Sequence, residues 1–219
     1  MSTVIANVPV WLRATTLTGT SGTKSPGYNG AVTIYADLKA GDTPLAGKNV
    51  YLEYSANGST GWTPATATVT QPVPGRYQTT VNRTTALYYR FRFAGDQIYA
   101  AIEGPVTKYY PKTSLSNPYA PSYAYRSRNF TTYGYLRPRH TVGSYPVRIY
   151  KYRYVSTYPG KWKSYGYVNA VASNYSTYSK YLRALSLPYA GRWRLRAYTP
   201  ADSGHAATWS SGYDYVTVK

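Results

Sequence analysis

A two-residue hydrophobic period, repeated through the chain in two copies, most constrains what this sequence can fold into. Between Val32 and Lys39, residues Val32, Ile34, Ala36 and Leu38 fall on one face, and Thr33, Tyr35, Asp37 and Lys39 on the other. A strand points successive side chains to opposite faces, so the pattern predicts a half-buried strand. Val50, Leu52 and Tyr54 share a face in the same way, as do Tyr89, Phe91 and Phe93. Residues 31–40 match residues 129–138 position for position, 50–54 correspond to 147–151, and 89–93 to 193–197. A tryptophan, Trp62 or Trp162, follows the second run of each copy. An offset of roughly 100 residues is the size of a domain, not of a solenoid repeat.

Turn-forming clusters separate the runs, among them Ala40-Gly-Asp-Thr-Pro44, Ala56-Asn-Gly58 and Tyr158-Pro-Gly160. About seven short strands per copy at this spacing indicate an all-β chain of two tandem antiparallel β-sandwiches. The predicted domains are 1–110 and 122–219. Between them, 111–121 carries Pro111, Pro118 and Pro121 and reads as a short, stiff Pro-rich linker. Helix is expected to be scarce.

Several residues point further. Pro44-Leu-Ala-Gly-Lys-Asn-Val50, Gly61-Trp62, Gly75-Arg-Tyr77 and Tyr89-Arg-Phe-Arg-Phe-Ala-Gly-Asp96 resemble the bacterial immunoglobulin-like repeats of secreted and cell-surface proteins, notably of actinobacteria. The second copy fits the same frame through Leu136, Val147, Ile149, Trp162 and residues 191–196. The resemblance implies immunoglobulin-like sandwiches and an extracellular or cell-surface setting, and it carries no catalytic residues. By the same analogy Trp62 and Trp162 are expected to be core tryptophans bridging two sheets.

The search for reaction chemistry returns little. The chain has no cysteine, which removes disulfides, thiol nucleophiles and thiolate zinc sites. Its seven acidic residues form no close pair of the kind glycoside hydrolysis uses. Asp42 and Asp96 sit in loops and read as turn formers, not calcium ligands. His140 and His205 are the only histidines, too few conventional ligands for zinc. His205 stands near Asp202, but no Gly-x-Ser-x-Gly elbow accompanies it. No phosphate-binding glycine motif occurs. Asn57, Asn82, Asn129 and Asn174 begin Asn-x-Ser/Thr triplets, which a Ser/Thr-rich chain contains by chance. No apolar run approaches the length of about 18 residues needed to span a membrane. Residues 1–7 lack the basic and apolar regions of a signal peptide. The chain is therefore expected to be no enzyme, with no cofactor and no metal.

Composition separates the copies. Residues 1–110 hold 10 of the 29 tyrosines and 9 basic against 5 acidic residues, whereas 111–219 hold the other 19 tyrosines and 16 basic against 2 acidic. Tyrosine supplies rigid contact area with a polar tip, and arginine stacks on aromatic faces while adding charge. If Val147 and Ile149 point inward, then Arg148, Tyr150, Tyr152 and Tyr154 point outward. If Trp193, Leu195 and Ala197 point inward, then Arg192, Arg194, Arg196 and Tyr198 point outward, with Tyr213 and Tyr215 from the last strand. In an immunoglobulin-like sandwich these runs are the neighbouring C, F and G strands, and the ten residues form one Tyr/Arg contact face.

Such a ladder can stabilise itself, since cross-strand aromatic pairs contribute about 0.2–1 kcal/mol each. The first copy is the control. Its matching set is Tyr51, Glu53, Ser55, Tyr88, Arg90 and Arg92, where Glu53 can pair with an arginine. The expected function is a structural or adhesive module touching an anionic envelope polymer, a glycan or copies of itself. A carbohydrate-binding platform of stacked tyrosines is the alternative. Nucleic-acid or other polyanion binding is the second alternative, fitting the net charge of +18.

Overall fold

Alternating Val, Ile, Leu and aromatic residues bury one side of each run, and the strands stack those sides face to face. The structure, a computed structural model, describes residues 11–144 and 146–219. The reading of residues 1–7 lies outside the described residues, as does the start of the first predicted domain. The chain divides into two compact units, 11–24 with 31–109, and 25–30 with 110–219. The described residues contain strands and turns and no helix.

In the first unit, one sheet runs in the order Thr16–Gly19, Val32–Ala40, Arg76–Val81 and Thr70–Val73. The other runs Gly22–Lys24, Thr107–Tyr109, Leu87–Phe93, Val50–Ser55 and Thr63–Pro64. These are the ABED and GFC sheets of an immunoglobulin-like sandwich, with the short strand Gly22–Lys24 lying parallel to the last, Thr107–Tyr109. Ile34, Ala36 and Leu38 from the first sheet meet Leu52, Phe91 and Phe93 from the second, all buried. The period-two reading of residues 32–40 holds along the whole strand.

The second unit keeps the plan with one change. Ser114–Leu115, Phe130–Arg137 and Ser179–Leu185 line up on one side. Val147–Tyr154, Gly191–Thr199, Asp214–Val218 and Tyr123–Ala124 line up on the other. The 13-residue strand Trp162–Asn174 belongs to both. Its residues 162–170 pair with Val147–Tyr154, and 171–174 pair with Ser179–Leu185. One continuous strand thus does what Thr63–Pro64 and Thr70–Val73 do separately in the first unit. It ties the two layers together along that edge.

Two expectations are corrected here. Residues 111–121 do not form a free linker. Ser114–Leu115 pairs with Arg137 and Leu136, Leu115 enters the core, and Tyr119 exchanges two backbone hydrogen bonds with Tyr133. The prolines remove donors at their own positions only, so the residues between them build an edge strand. Trp62 and Trp162 are not core residues, since both are half-buried. The core tryptophan is Trp193, 0% exposed, its indole N–H donating to Tyr189 O at 2.9 Å.

The core of the second unit is also pinned by a tyrosine. Tyr181 is 0% exposed and donates its hydroxyl to Ser116 O at 3.0 Å. Directly across the ladder stands Gly134, where an added Cβ would lie 2.1 Å from that hydroxyl oxygen. The ring lies over the bare backbone that glycine leaves open.

Candidate functional site

Strands Val147–Tyr154, Gly191–Thr199 and Asp214–Val218 are hydrogen-bonded neighbours, in that order. Val147, Ile149, Trp193, Leu195 and Ala197 are fully buried, so alternation sends the intervening residues to the opposite face. Arg148 stands opposite Tyr198, Tyr150 opposite Arg196, Tyr152 opposite Arg194, and Arg194 opposite Tyr215. Tyr154 and Arg192 continue the ladder at one end, the guanidinium 5.9 Å from the ring centre. Tyr213 packs against Tyr152 and lies under two arginines. The structure therefore brings the ten named residues onto one face.

Arg194 is the centre of this face. Its guanidinium carbon lies 4.0 Å from the Tyr213 ring, 4.5 Å from Trp162 and 5.3 Å from Tyr152. Arg196 lies 5.0 Å from Trp209 and 5.1 Å from Tyr213, and two of its nitrogens donate to Ser210 O. Arg148 covers Tyr167 at 4.9 Å. Exposed cation–π contacts contribute about 0.5–1 kcal/mol each, and their main effect here is to hold the guanidinium groups in place. A partner meeting a fixed array loses less side-chain entropy on binding. Burial pushes the Tyr152 phenol above its ordinary range.

Sequence reasoning missed Trp162, Tyr167 and Trp209 as members. Trp209 packs on Tyr150 and Tyr198 at 4.8 and 4.6 Å, from Thr208–Trp209, an extra short strand beside Gly191–Thr199. Trp162 and Tyr167 arrive through a bulge. Between the Tyr150–Tyr167 and Tyr152–Ser164 pairs the register shifts, with Gly166 in the left-handed region at φ 70°. The extra residue reverses parity, as bulges do. Trp162 and Tyr167 both face outward, while Tyr165 between them turns in against Trp193. In the sequence, only the glycine at 166 hints at the bulge.

The first unit shows what the same position holds elsewhere. There Glu53 stands opposite Arg90, and Trp62 covers that guanidinium at 4.2 Å. Arg90 donates to Glu53 at 2.9 Å and also pairs with Glu103, while Arg92 lies 3.7 Å from Glu53. In the second unit Tyr152 stands opposite Arg194, and Trp162 covers the guanidinium. The ladders thus match Glu53 with Tyr152, two positions beyond the Tyr150 that sequence alignment indicates. Among the described residues, no carboxylate forms an ion pair with Arg148, Arg192, Arg194 or Arg196. The Arg194 Nε is buried without a hydrogen-bond acceptor. Asp214, the acid on the neighbouring strand, accepts from Ala120 N at 2.6 Å instead.

The loop acid Asp96 behaves as a turn former. Asp96 accepts from the amides of Ile98 and Tyr99 and binds Lys48 at 2.7 Å. His205 does meet Asp202, at 3.0 Å, and the third group beside them is His140.

No protein-family model matches the chain, and no curated protein matches it. Among solved structures, the chain is similar to FdeC, an adhesin of Escherichia coli, at 12% identity and a TM-score of 0.39. The match covers 94% of this chain and 64% of that structure, so the chain spans less than two thirds of its length. The immunoglobulin-like architecture stated above rests on the strand orders themselves.

Proposed function

We propose that this chain is a non-catalytic extracellular or cell-surface module that adheres to an anionic polymer through the Tyr/Arg face of its second unit. The observation that carries this reading is the exchange of Glu53 for Tyr152. The first unit neutralises its stacked arginine with a carboxylate from within. The second keeps the arginine and the covering tryptophan but replaces the internal acid with a ring. Ring faces stabilise a cation without cancelling its charge, so an anion from outside gains the full attraction of four aligned arginines. A repeating acidic chain of the kind found in envelope glycans suits a flat ladder better than a small ligand does. The phenol hydroxyls add hydrogen bonds to sugar or phosphate oxygens at its rim.

The test is binding to heparin, as an acidic polymer, and to dextran, as a neutral one, across a salt series. The expected result is binding to heparin that weakens about tenfold or more between about 50 and 200 mM salt, with none to dextran. Salt-insensitive binding to dextran would replace this reading with neutral-glycan stacking. Preference for single-stranded DNA over heparin would move it to nucleic acid. Mass that grows with protein concentration in the absence of polymer, with no polymer binding, would make the face a self-association surface.

A further inference from the structure

The two histidines of the chain converge on one aspartate. His140 follows strand Phe130–Arg137 of one layer, and Asp202 and His205 lie in the loop after strand Gly191–Thr199 of the other. Sequence spacing gives no sign of this meeting, which the sandwich closes at one end. We propose that His140, Asp202 and His205 form a divalent metal site selective for zinc-like ions, with a remaining coordination position open to water.

Each ligand atom is set for that role. The His140 ring is oriented by Nδ1, 2.9 Å from Pro138 O. That contact makes Nδ1–H the donor and leaves the lone pair on Nε2. A ring nitrogen held by a backbone carbonyl is the usual support of a metal-binding histidine. Nε2 is itself buried, makes no hydrogen bond, and lies 3.4 Å from Asp202 Oδ2. His205 Nδ1 lies 3.2 Å from the same Oδ2 and 3.0 Å from Oδ1. Asp202 Oδ1 is occupied, accepting from the amides of Gly204 and His205 at 2.7 Å each. These bonds fix the carboxylate with Oδ2 within 3.4 Å of a nitrogen of each ring.

The spacing fits the ion. Tetrahedral ligands at zinc distances of about 2.0–2.1 Å stand about 3.3 Å from one another. The two edges that Oδ2 makes with the rings, 3.2 and 3.4 Å, bracket that value, and no two of the three ligand atoms are more than 4.8 Å apart. Two imidazoles with one carboxylate favour zinc and its transition-metal neighbours. Calcium and magnesium call for more oxygen ligands. Asp202 is 40% exposed, and a surface cleft lined by His140, Ser144, Thr199 and Asp202 opens beside it, so water can complete the coordination. Bound there, the ion would staple the two layers of the second unit. The same loop is already fastened to residues 110–112, since Tyr110 donates to Asp202 O and Ala206 N to Pro111 O.

The experiment is calorimetric titration of the whole chain with Zn²⁺, and with Ca²⁺ and Mg²⁺ as controls, in a non-chelating buffer. The expected result is one zinc site of micromolar affinity, a higher Tm with zinc present, and no comparable heat with the controls. His140→Ala should weaken zinc at least tenfold. Asp202→Asn keeps the acceptor for the two amides and removes the charged ligand, so it should fold, as circular dichroism would verify, and also bind zinc at least tenfold more weakly. Absence of a zinc site in the wild type would overturn the proposal, as would unchanged affinity in the folded Asp202→Asn protein.

Discussion

Replacing Gly134 by Ala should be among the most damaging one-methyl changes in the second unit. The added Cβ would sit 2.1 Å from Tyr181 Oη, 2.2 Å from Cζ and 2.6 Å from Cε1. Real carbon contacts need well over 3 Å, so something must move by more than 1 Å. The ring has nowhere to go, being 0% exposed and held by its hydroxyl bond to Ser116 O. Overpacking a core costs about 1–3 kcal/mol, and stranding the buried hydroxyl adds about 1–3 kcal/mol. A loss of about 3 kcal/mol follows, which for a unit of this size lowers Tm by roughly 10–20 °C. The first unit is the internal control. There Ala36 faces Tyr77 across the same rung, and Tyr77 donates instead to Leu45 O at 2.9 Å. Thermal and urea unfolding of Gly134→Ala would measure the effect. Adding Tyr181→Leu should recover part of it, because the two residues are coupled. A cost below about 1 kcal/mol, or strict additivity in the double variant, would refute the idea that the ring is seated on the bare glycine.

Other expectations follow from the same contacts. Burial pushes the Tyr181 phenol far above its ordinary 10.0. The folded state then retains a proton that the unfolded state releases. Stability from this group is intact below about pH 10 and falls above it by about 1.4 kcal/mol per pH unit, until the folded-state group titrates. Urea midpoints of wild type and Tyr181→Phe from pH 8 to 11 test this, because the variant should lose the slope. Glu53→Gln should destabilise the first unit by about 2 kcal/mol, since it removes the charge that Arg90 and Arg92 share at 2.9 and 3.7 Å. A lower urea midpoint with unchanged slope would show it. The corresponding loss at Tyr152→Phe should be below about 1 kcal/mol, because Arg194 touches the ring and not an anion.

Much of this molecule is legible in its sequence because strand alternation is a local signal. Residues 32–40 and 191–197 announce their inner and outer faces without any knowledge of what they pack against. The same parity places Arg148, Tyr150, Tyr152, Arg194 and Arg196 together once the three strands are neighbours. What escapes is whatever depends on closure of the chain. The bulge at Gly166 turns Trp162 outward and leaves the core to Trp193, whose inward parity alternation had already given. Residues 111–121 look like a connector by composition. They pair because Leu136 and Arg137 offer an open ladder edge. His140 and His205 look like isolated loop histidines until the sandwich ends meet.

The central claim is that the second unit presents arginines whose counter-ion comes from outside, and Tyr152→Glu tests it most directly. The change restores at Arg194 the carboxylate that Glu53 supplies to Arg90, on the same rung and under the same tryptophan. The fold should persist, with Tm equal to wild type or higher. Heparin binding at low salt should fall about tenfold or more, because one charge is cancelled and a like charge now faces the polymer. Binding that is undiminished in a well-folded Tyr152→Glu protein would contradict the account.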